Sequence, residues 1–150
     1  MTRILVAAVG NVLRRDDGFG AAVAARLRGL PQGVEVVETG IGGIALLQEL
    51  LANWDGLILI DAVDRGEEPG TVFVIEPEVG AAEHVPDVHL ANPERVLTAA
   101  QTLGCLPSRV RIVGCQPADV DELDDRLTPR VERAVAVAAA KVEEIVDAWL

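Results

Sequence analysis

Near the start of the chain, residues 4–20 read ILVAAVGNVLRRDDGFG. The first six letters belong to a continuous apolar run that stops at Gly10, which is typical of a strand buried on both faces of a sheet. The glycine-flanked turn that follows leads into a helix, which we predict over residues 19–29. Within that turn Asp16 and Asp17 are neighbours. A carboxylate pair at this point fits a solvated turn, a phosphate-binding loop or a metal site.

The phosphate-binding interpretation is the weakest of the three. A dinucleotide fingerprint requires G-x-G-x-x-G directly after the first strand, whereas here Gly10 is followed only later by Gly18 and Gly20. Two carboxylates before a helix would also occupy the position that a pyrophosphate needs. The sequence contains no Walker A motif. Nucleotide binding is therefore disfavoured.

The turn interpretation accounts for one aspartate of the pair. Aspartate is a good cap for the start of a helix, and DDG is ordinary turn chemistry. Two adjacent aspartates cannot both cap the same N–H group. One aspartate of the pair is therefore expected to act as the cap, and the other has no such structural reason, although the pair taken alone still fits an ordinary turn.

The remaining pattern predicts a single domain over residues 1–150. It indicates strands at residues 3–9, 34–38, 57–63, 71–77 and 109–115, and helices at residues 19–29, 44–52, 92–103 and 128–150. This order predicts an α/β fold, a three-layer α/β/α sandwich with a mostly parallel, about five-stranded twisted sheet. No helix separates the third and fourth strands, so we expect these two to pair antiparallel.

Composition excludes several functions. The formal net charge of −11 repels phosphate backbones and disfavours nucleic acid as a partner. No apolar run reaches the length of a membrane span, and the N-terminus lacks the small-residue cleavage site of a signal peptide. We therefore expect a cytoplasmic protein without membrane insertion.

Nucleophiles are scarce. The chain has a single serine, Ser108, and a single lysine, Lys141. Ser108 precedes the fifth strand and Lys141 lies in the middle of the last helix, away from the edge where parallel strands end. Cys115 does end a strand, but a reactive thiol needs a nearby base or cation, so we interpret it as a small buried residue.

Three polar residues fall where ligands bind in open α/β sheets, beyond the carboxyl ends of the strands. The first comes from the pair Asp16 and Asp17 after the first strand, the second is Asp61 at the end of the apolar third strand, and the third is His89 before the third helix. An O/O/N set of this kind suits zinc or nickel, and the carboxylates are also suited to general acid/base work on a peptide bond. The alternatives are a loop cap at Asp61 and a packed ring at His89, while His84 is interpreted as more exposed.

The motifs resemble those of one known family over nearly the whole chain. ILVAAVGNVLRRDDGFG is similar to the N-terminal signature of the maturation endopeptidases of [NiFe] hydrogenases. Three later segments resemble that family's further motifs: LILIDAVDRGEEPGTVFVIEP, DVHLANPERVLTAAQTLG and VGCQP. The first motif is the most specific, and the others support it.

The resemblance implies an endopeptidase that removes a C-terminal extension from the hydrogenase large-subunit precursor after nickel insertion. It implies that Asp17, Asp61 and His89 contact the metal, with Asp16 as an accompanying acidic residue of the catalytic group. With Asp17 assigned in this way, we expect Asp16 to cap the first helix or to tune the charge of Asp17. The nickel is presented by the precursor, and we expect zinc or cadmium to occupy the same site in vitro. No serine or cysteine nucleophile is implied.

Two positions depart from the family pattern. Leu90 follows the histidine where many relatives have glycine, and the turn TGIGG matches only loosely the turn expected there. We expect Gly42 and Gly43 in that turn to let a substrate backbone approach closely. The alternative function is a non-catalytic metal- or ligand-binding module of the same fold.

Overall fold

A computed structural model describes residues 1–79 and 93–150 of the chain. The strands are β1 (Ile4–Val9), β2 (Val34–Gly40), β3 (Gly56–Ala62), β4 (Val72–Ile75) and β5 (Arg109–Cys115). The helices are α1 (Phe19–Arg26), α2 (Ile44–Leu50), α3 (Pro93–Thr102) and α4 (Pro129–Trp149), and a 3-10 helix spans Arg15–Gly18. Every predicted strand and helix is present within a few residues of its expected bounds. Within the described part of the chain, no helix is both long and apolar enough to cross a lipid bilayer.

The sheet confirms the predicted fold class but corrects one strand pairing. Its order among the described residues is β2-β1-β3-β5-β4, with all pairs parallel except β4 with β5. The prediction that the third and fourth strands pair with each other is wrong. Strand β3 is hydrogen-bonded to β1 on one side and β5 on the other, so both of its edges are occupied. Strand β4 therefore pairs with the outer edge of β5 instead.

Strict alternation along the central strands creates two hydrophobic layers. Ile58 and Ile60 face one layer, whereas Leu57 and Leu59 face the other, and all four are fully buried. Helices α1 and α4 cover the first layer, and helices α2 and α3 cover the second. Because both faces of the sheet are covered, the functional groups are left to the edge where the parallel strands end.

Gly20 brings α1 unusually close to that edge. A Cβ at this position would lie 2.5 Å from the carbonyl oxygen of Ile60 and 2.8 Å from that of Val9. The first turn of α1 thus rests on the last residues of β1 and β3. The close approach fixes the 3-10 helix, which immediately precedes α1, against the residues that lead into Asp61.

Replacing Gly20 with alanine is expected to destabilise the protein. Helix propensity would favour alanine by about 1 kcal/mol, whereas overpacking against two backbone oxygens costs about 1–3 kcal/mol. We expect a net loss in the free energy of unfolding, measured with urea. Ala21→Gly, in the same helix, reports the propensity contribution separately. A gain in stability for Gly20→Ala would contradict the close approach.

Candidate active site

The candidate site lies where the strand order changes direction. From β1 the chain passes through α1 to β2 on one side, and it returns through α2 to β3 on the other side of β1. The carboxyl ends of β1 and β3 therefore flank the crevice in which open α/β sheets bind their ligands. Asp17 lies in the loop after β1, and Asp61 is the second-last residue of β3. The fold therefore brings the two predicted aspartates to this crevice.

Asp17 is held by the strand end that precedes it. Its Oδ2 accepts a hydrogen bond of 2.7 Å from the backbone N–H of Asn11, and its own N–H donates to the carbonyl of Arg14 at 3.0 Å. Gly10 has φ +127°, and a Cβ there would lie 2.1 Å from the carbonyl oxygen of Asp17. Only glycine therefore allows the loop to fold back this closely. Asp17 remains partly exposed and can contact a ligand.

Asp61 is 8 % exposed, and its environment favours the neutral acid. Its pKa is raised from 3.8 to about 8, mainly by burial and in smaller part by the nearby negative charge of Asp17. A hydrogen bond from the N–H of Ala62 lowers the pKa and partly opposes these two effects. An approaching cation would reverse this balance, because positive charge favours the ionised carboxylate. The two carboxyl groups are thus close enough to interact electrostatically.

The third predicted ligand, His89, lies outside the described residues, as do His84 and Leu90. Among residues 1–79 and 93–150, no three His, Cys, Asp or Glu side chains form a group that could hold a metal ion. The structure thus supplies Asp17 and Asp61 as a pair. The participation of His89 stays a prediction.

Asp16 does not cap the first helix, contrary to expectation. It is fully buried and points to the loop between β5 and α4. Its Oδ2 accepts hydrogen bonds from the backbone N–H groups of Ala118 (2.8 Å) and Asp119 (3.0 Å), and its Oδ1 accepts one from that of Thr128 (2.8 Å). The hydroxyl of Thr128 lies 3.0 and 2.8 Å from the two oxygens. The N-cap position of α1 is instead occupied by Gly18.

Gln116 organises the second loop of the site, between β3 and β4, and sequence reasoning assigned it no role. Its Oε1 accepts hydrogen bonds from the backbone N–H groups of Arg65 (2.7 Å) and Glu67 (3.2 Å), while its Nε2 donates to Asp64 (3.0 Å). Asp64 follows Asp61 by three residues, so this amide fixes the chain just beyond the buried carboxylate. The sequence signal that could have identified Gln116 is its place directly after an apolar strand, which is also the kind of signal that identified Asp61.

Two depressions flank the carboxylate pair. A cleft of about 530 Å³ lies beside Asp61, between the β3–β4 loop and the residues around the ends of β4 and α3. A groove of about 300 Å³ lies beside the Asp17 loop, with Gly10, Asn11, Val12 and Ile41 among its walls. Val12 is 49 % and Ile41 67 % exposed, so the groove offers apolar surface next to the charged site.

The glycine-rich turn beyond β2 borders the same groove. Gly42 has φ +77°, and a Cβ built there would meet no described atom within 4 Å. The need for glycine at this position therefore comes from the backbone conformation. The open space above it is compatible with the predicted approach of a substrate backbone, which stays a prediction.

The candidate nucleophiles are poorly suited to catalysis. Ser108 lies at the opposite end of the sheet, where its hydroxyl is 3.5 Å from the carbonyl of Asp55, and Lys141 faces Glu144 on the surface of α4. Cys115 is fully buried, and burial together with the charge of Asp16 raises the pKa of its thiol to about 11. Among residues 1–79 and 93–150, Asp17 and Asp61 therefore stay the candidates for acid/base chemistry at this edge.

Comparison with known proteins identifies the family. The family model described as HycI, hydrogenase maturation protease, matches residues 22–145. The chain belongs to the hydrogenase maturation protease family. The hydrogenase expression/formation protein HupD of Rhizobium leguminosarum bv. viciae is 34 % identical over 154 residues, covering 98 % of this chain and 75 % of HupD.

Proteins from Escherichia coli agree with this assignment. The hydrogenase 2 maturation protease of strain K12 is 34 % identical over 146 residues, covering 93 % of this chain and 88 % of that protein. The solved structure of the hydrogenase maturating endopeptidase HybD superposes with a TM-score of 0.83 at 32 % identity, covering 97 % of this chain and 93 % of HybD. The predicted family, fold class and peptidase activity are therefore confirmed.

The stability of the metal-free protease is expected to decrease as pH rises through the neutral range. The unfolded chain releases the proton of Asp61 near pH 3.8, whereas the folded protein keeps it until about pH 8. Between these values the folded state binds the extra proton, so raising the pH favours unfolding, and above about pH 8 the contribution is constant. Asp61→Asn should remove this decrease, measured by urea unfolding with a chelator present.

Asp64→Asn is the matched control for that experiment. Hydrogen bonds from Gln116 and from the N–H of Gly66 lower the pKa of this exposed carboxyl group, so it is ionised in both states throughout the range. Its replacement should leave the slope of stability against pH unchanged. Equal slopes for the wild type and Asp61→Asn would show that Asp61 ionises as an ordinary aspartate.

The two thiols are expected to differ in reactivity. Cys105 is partly exposed and Cys115 is buried with a raised pKa. Since the thiolate is the reactive form, iodoacetamide should modify Cys115 at least about tenfold more slowly than Cys105 in the folded protein. Mass spectrometry of tryptic peptides measures both rates, and unfolding in urea should equalise them. Fast modification of Cys115 in the folded state would restore it as a candidate nucleophile.

Proposed function

We propose that this protease removes the C-terminal extension of a [NiFe] hydrogenase large-subunit precursor after nickel has been inserted. Asp17, Asp61 and His89 would contact the nickel that the precursor presents. The observation that carries this proposal is the meeting of Asp17 and Asp61 at the crevice between β1 and β3 in a chain of this family.

The electrostatics of the pair support recognition of a cation. A buried carboxyl group beside a second carboxylate is stabilised by an ion that neutralises both. At neutral pH Asp61 is protonated without such an ion, because its pKa is about 8. Arrival of a nickel-loaded precursor would ionise Asp61, whereas a precursor without nickel would bring no such charge. The protease would thereby distinguish finished from unfinished substrate.

The shape of the site supports a polypeptide substrate. The cleft beside Asp61 and the groove beside the Asp17 loop together flank the carboxylates, so an extended segment could pass over the pair from one depression to the other. The exposed side chains of Val12 and Ile41 would contact apolar residues of that segment. Carboxylates placed at its middle are suited to general acid/base catalysis of peptide hydrolysis.

A cleavage assay tests the proposal. Nickel-loaded precursors of hydrogenases encoded in the same genome are incubated with the protease, and loss of the C-terminal extension is followed by mass spectrometry. The wild type should cleave one of them. Asp17→Asn, Asp61→Asn and His89→Ala should each reduce the rate at least about 100-fold, as expected when an acid/base or ion-contacting group is lost.

Asp147→Asn, on the exposed face of α4, and Cys115→Ala are the controls, and both should retain activity within about threefold, since neither residue has a role in the proposed chemistry. Cleavage of a precursor that lacks nickel would contradict nickel recognition while leaving the peptidase activity intact. Tight metal binding by the isolated protein without cleavage of any loaded precursor would favour the metal-binding module instead.

A further inference from the structure

The loop that carries Asp17 is attached to a distant part of the chain. Besides the side-chain contacts of Asp16, three backbone hydrogen bonds join residues 13–16 to the β5–α4 loop, residues 116–128. Arg15 N–H donates to Asp124 (2.9 Å), Asp16 N–H donates to Asp119 (3.0 Å), and Asp124 N–H donates to Leu13 (3.0 Å). The two loops form one unit, and the carboxylate of Asp16 is its buried centre.

The 3-10 helix explains why two adjacent aspartates can do different work. With three residues per turn, neighbouring side chains in such a helix point about 120° apart. Asp16 therefore faces the β5–α4 loop while Asp17 faces Asn11 and the crevice. Holding the first carboxylate in place also sets the direction of the second.

We propose that Asp16 is a positioning residue for Asp17 and that Thr128, at the N-cap of α4, is its principal anchor. This inference rests on the proposed function, since it concerns the same site. Thr128 supplies both a backbone N–H and a hydroxyl to the carboxylate. Asp16 also places its negative charge at the N-terminus of α4, where the helix dipole favours an anion.

The loop is restrained from two sides. Displacement toward β1 is blocked because the carbonyl of Asp17 already packs against the backbone of Gly10, in the space that a side chain at this position would fill. Displacement away from β1 would break the hydrogen bonds of Asp16 to Ala118, Asp119 and Thr128. These contacts restrain the position of Asp17 relative to Asp61, as a shared ion would require of its two ligands.

A purely electrostatic role for Asp16 fits less well. The charge that raises the pKa of Asp61 is that of Asp17, whereas the charge of Asp16 acts on the buried thiol of Cys115. The five contacts of Asp16 with backbone N–H groups and a hydroxyl already satisfy both oxygens. Its contribution to the site therefore passes through the geometry of the 3-10 helix.

Amide hydrogen exchange of Thr128→Val tests the inference directly. Valine keeps the shape and the backbone N–H of Thr128 but removes the hydroxyl. We expect exchange of the Asn11 amide, which reports its hydrogen bond to Asp17, to accelerate at least about tenfold more than that of Val6 in the buried centre of β1. Thr128→Ser retains the hydroxyl and should behave as the wild type. Asp16→Asn should show a larger effect than Thr128→Val.

Kinetics on the nickel-loaded precursor provide the second measurement. Thr128→Val should lower kcat at least about tenfold with KM changed less than about twofold, because the surfaces that dock the precursor are untouched. Equal acceleration of exchange at Asn11 and Val6 would mean that Asp16 only stabilises the fold, and the inference would be wrong. Selective acceleration with an unchanged kcat would equally overturn it.

The two proposals fail in different ways. If the wild type cleaves no loaded precursor, the proposed function fails, while the exchange rates of Asn11 and Val6 still decide whether Asp16 positions Asp17. If Asp16→Asn does not fold, the Thr128→Val and Thr128→Ser pair carries the test, because both leave the carboxylate and the backbone donors in place.

Discussion

The burial of Asp61 beside a second acidic residue, at the end of a parallel strand pair, is the constraint on which this site depends. Asp61 continues a strand whose preceding side chains fill two hydrophobic layers, and the water that would solvate its charge is largely excluded. Asp17 is then held beside it by Asn11 and by the close approach of Gly10. Below about pH 8 this environment keeps Asp61 as the neutral acid, and positive charge brought close to the pair would favour its ionised form.

Much of the fold could be predicted because local patterns matched the final structure. The apolar runs that end at glycine or aspartate predicted the bounds of β1 and β3 to within one residue. Thr128 followed by Pro129 predicted the start of α4. Asp61 stood out for the same reason, since a carboxylate at the end of an apolar strand needs a partner. The location of Ser108 and Lys141 away from the candidate site could also be predicted, because one precedes a strand and the other lies in the middle of a helix.

The errors arose where partners are distant in the chain. The pairing of β4 depends on β5, which lies about forty residues further along the chain. Strand β5 occupies the edge of β3 at which β4 was expected. Asp16 was expected to serve the helix next to it, but its acceptor oxygens are used by N–H groups 102–112 positions away. Turn chemistry predicts that an aspartate will accept hydrogen bonds, whereas the identity of the donors is a property of the folded chain.

The span between Asp16 and Thr128 has a consequence for the order of events during synthesis. Asp16 and Asp17 are synthesised before their anchor, Thr128, which lies 112 positions after Asp16 and at the start of α4. Closing so long a loop carries an entropic cost that local turns do not. Local contacts can therefore form β1 and α1 before α4 exists, whereas the hydrogen bonds between Asp16 and Thr128 form only when α4 has been made and docked. A chain truncated before α4 would keep the loop sequence of Asp16 and Asp17 but lose these hydrogen bonds.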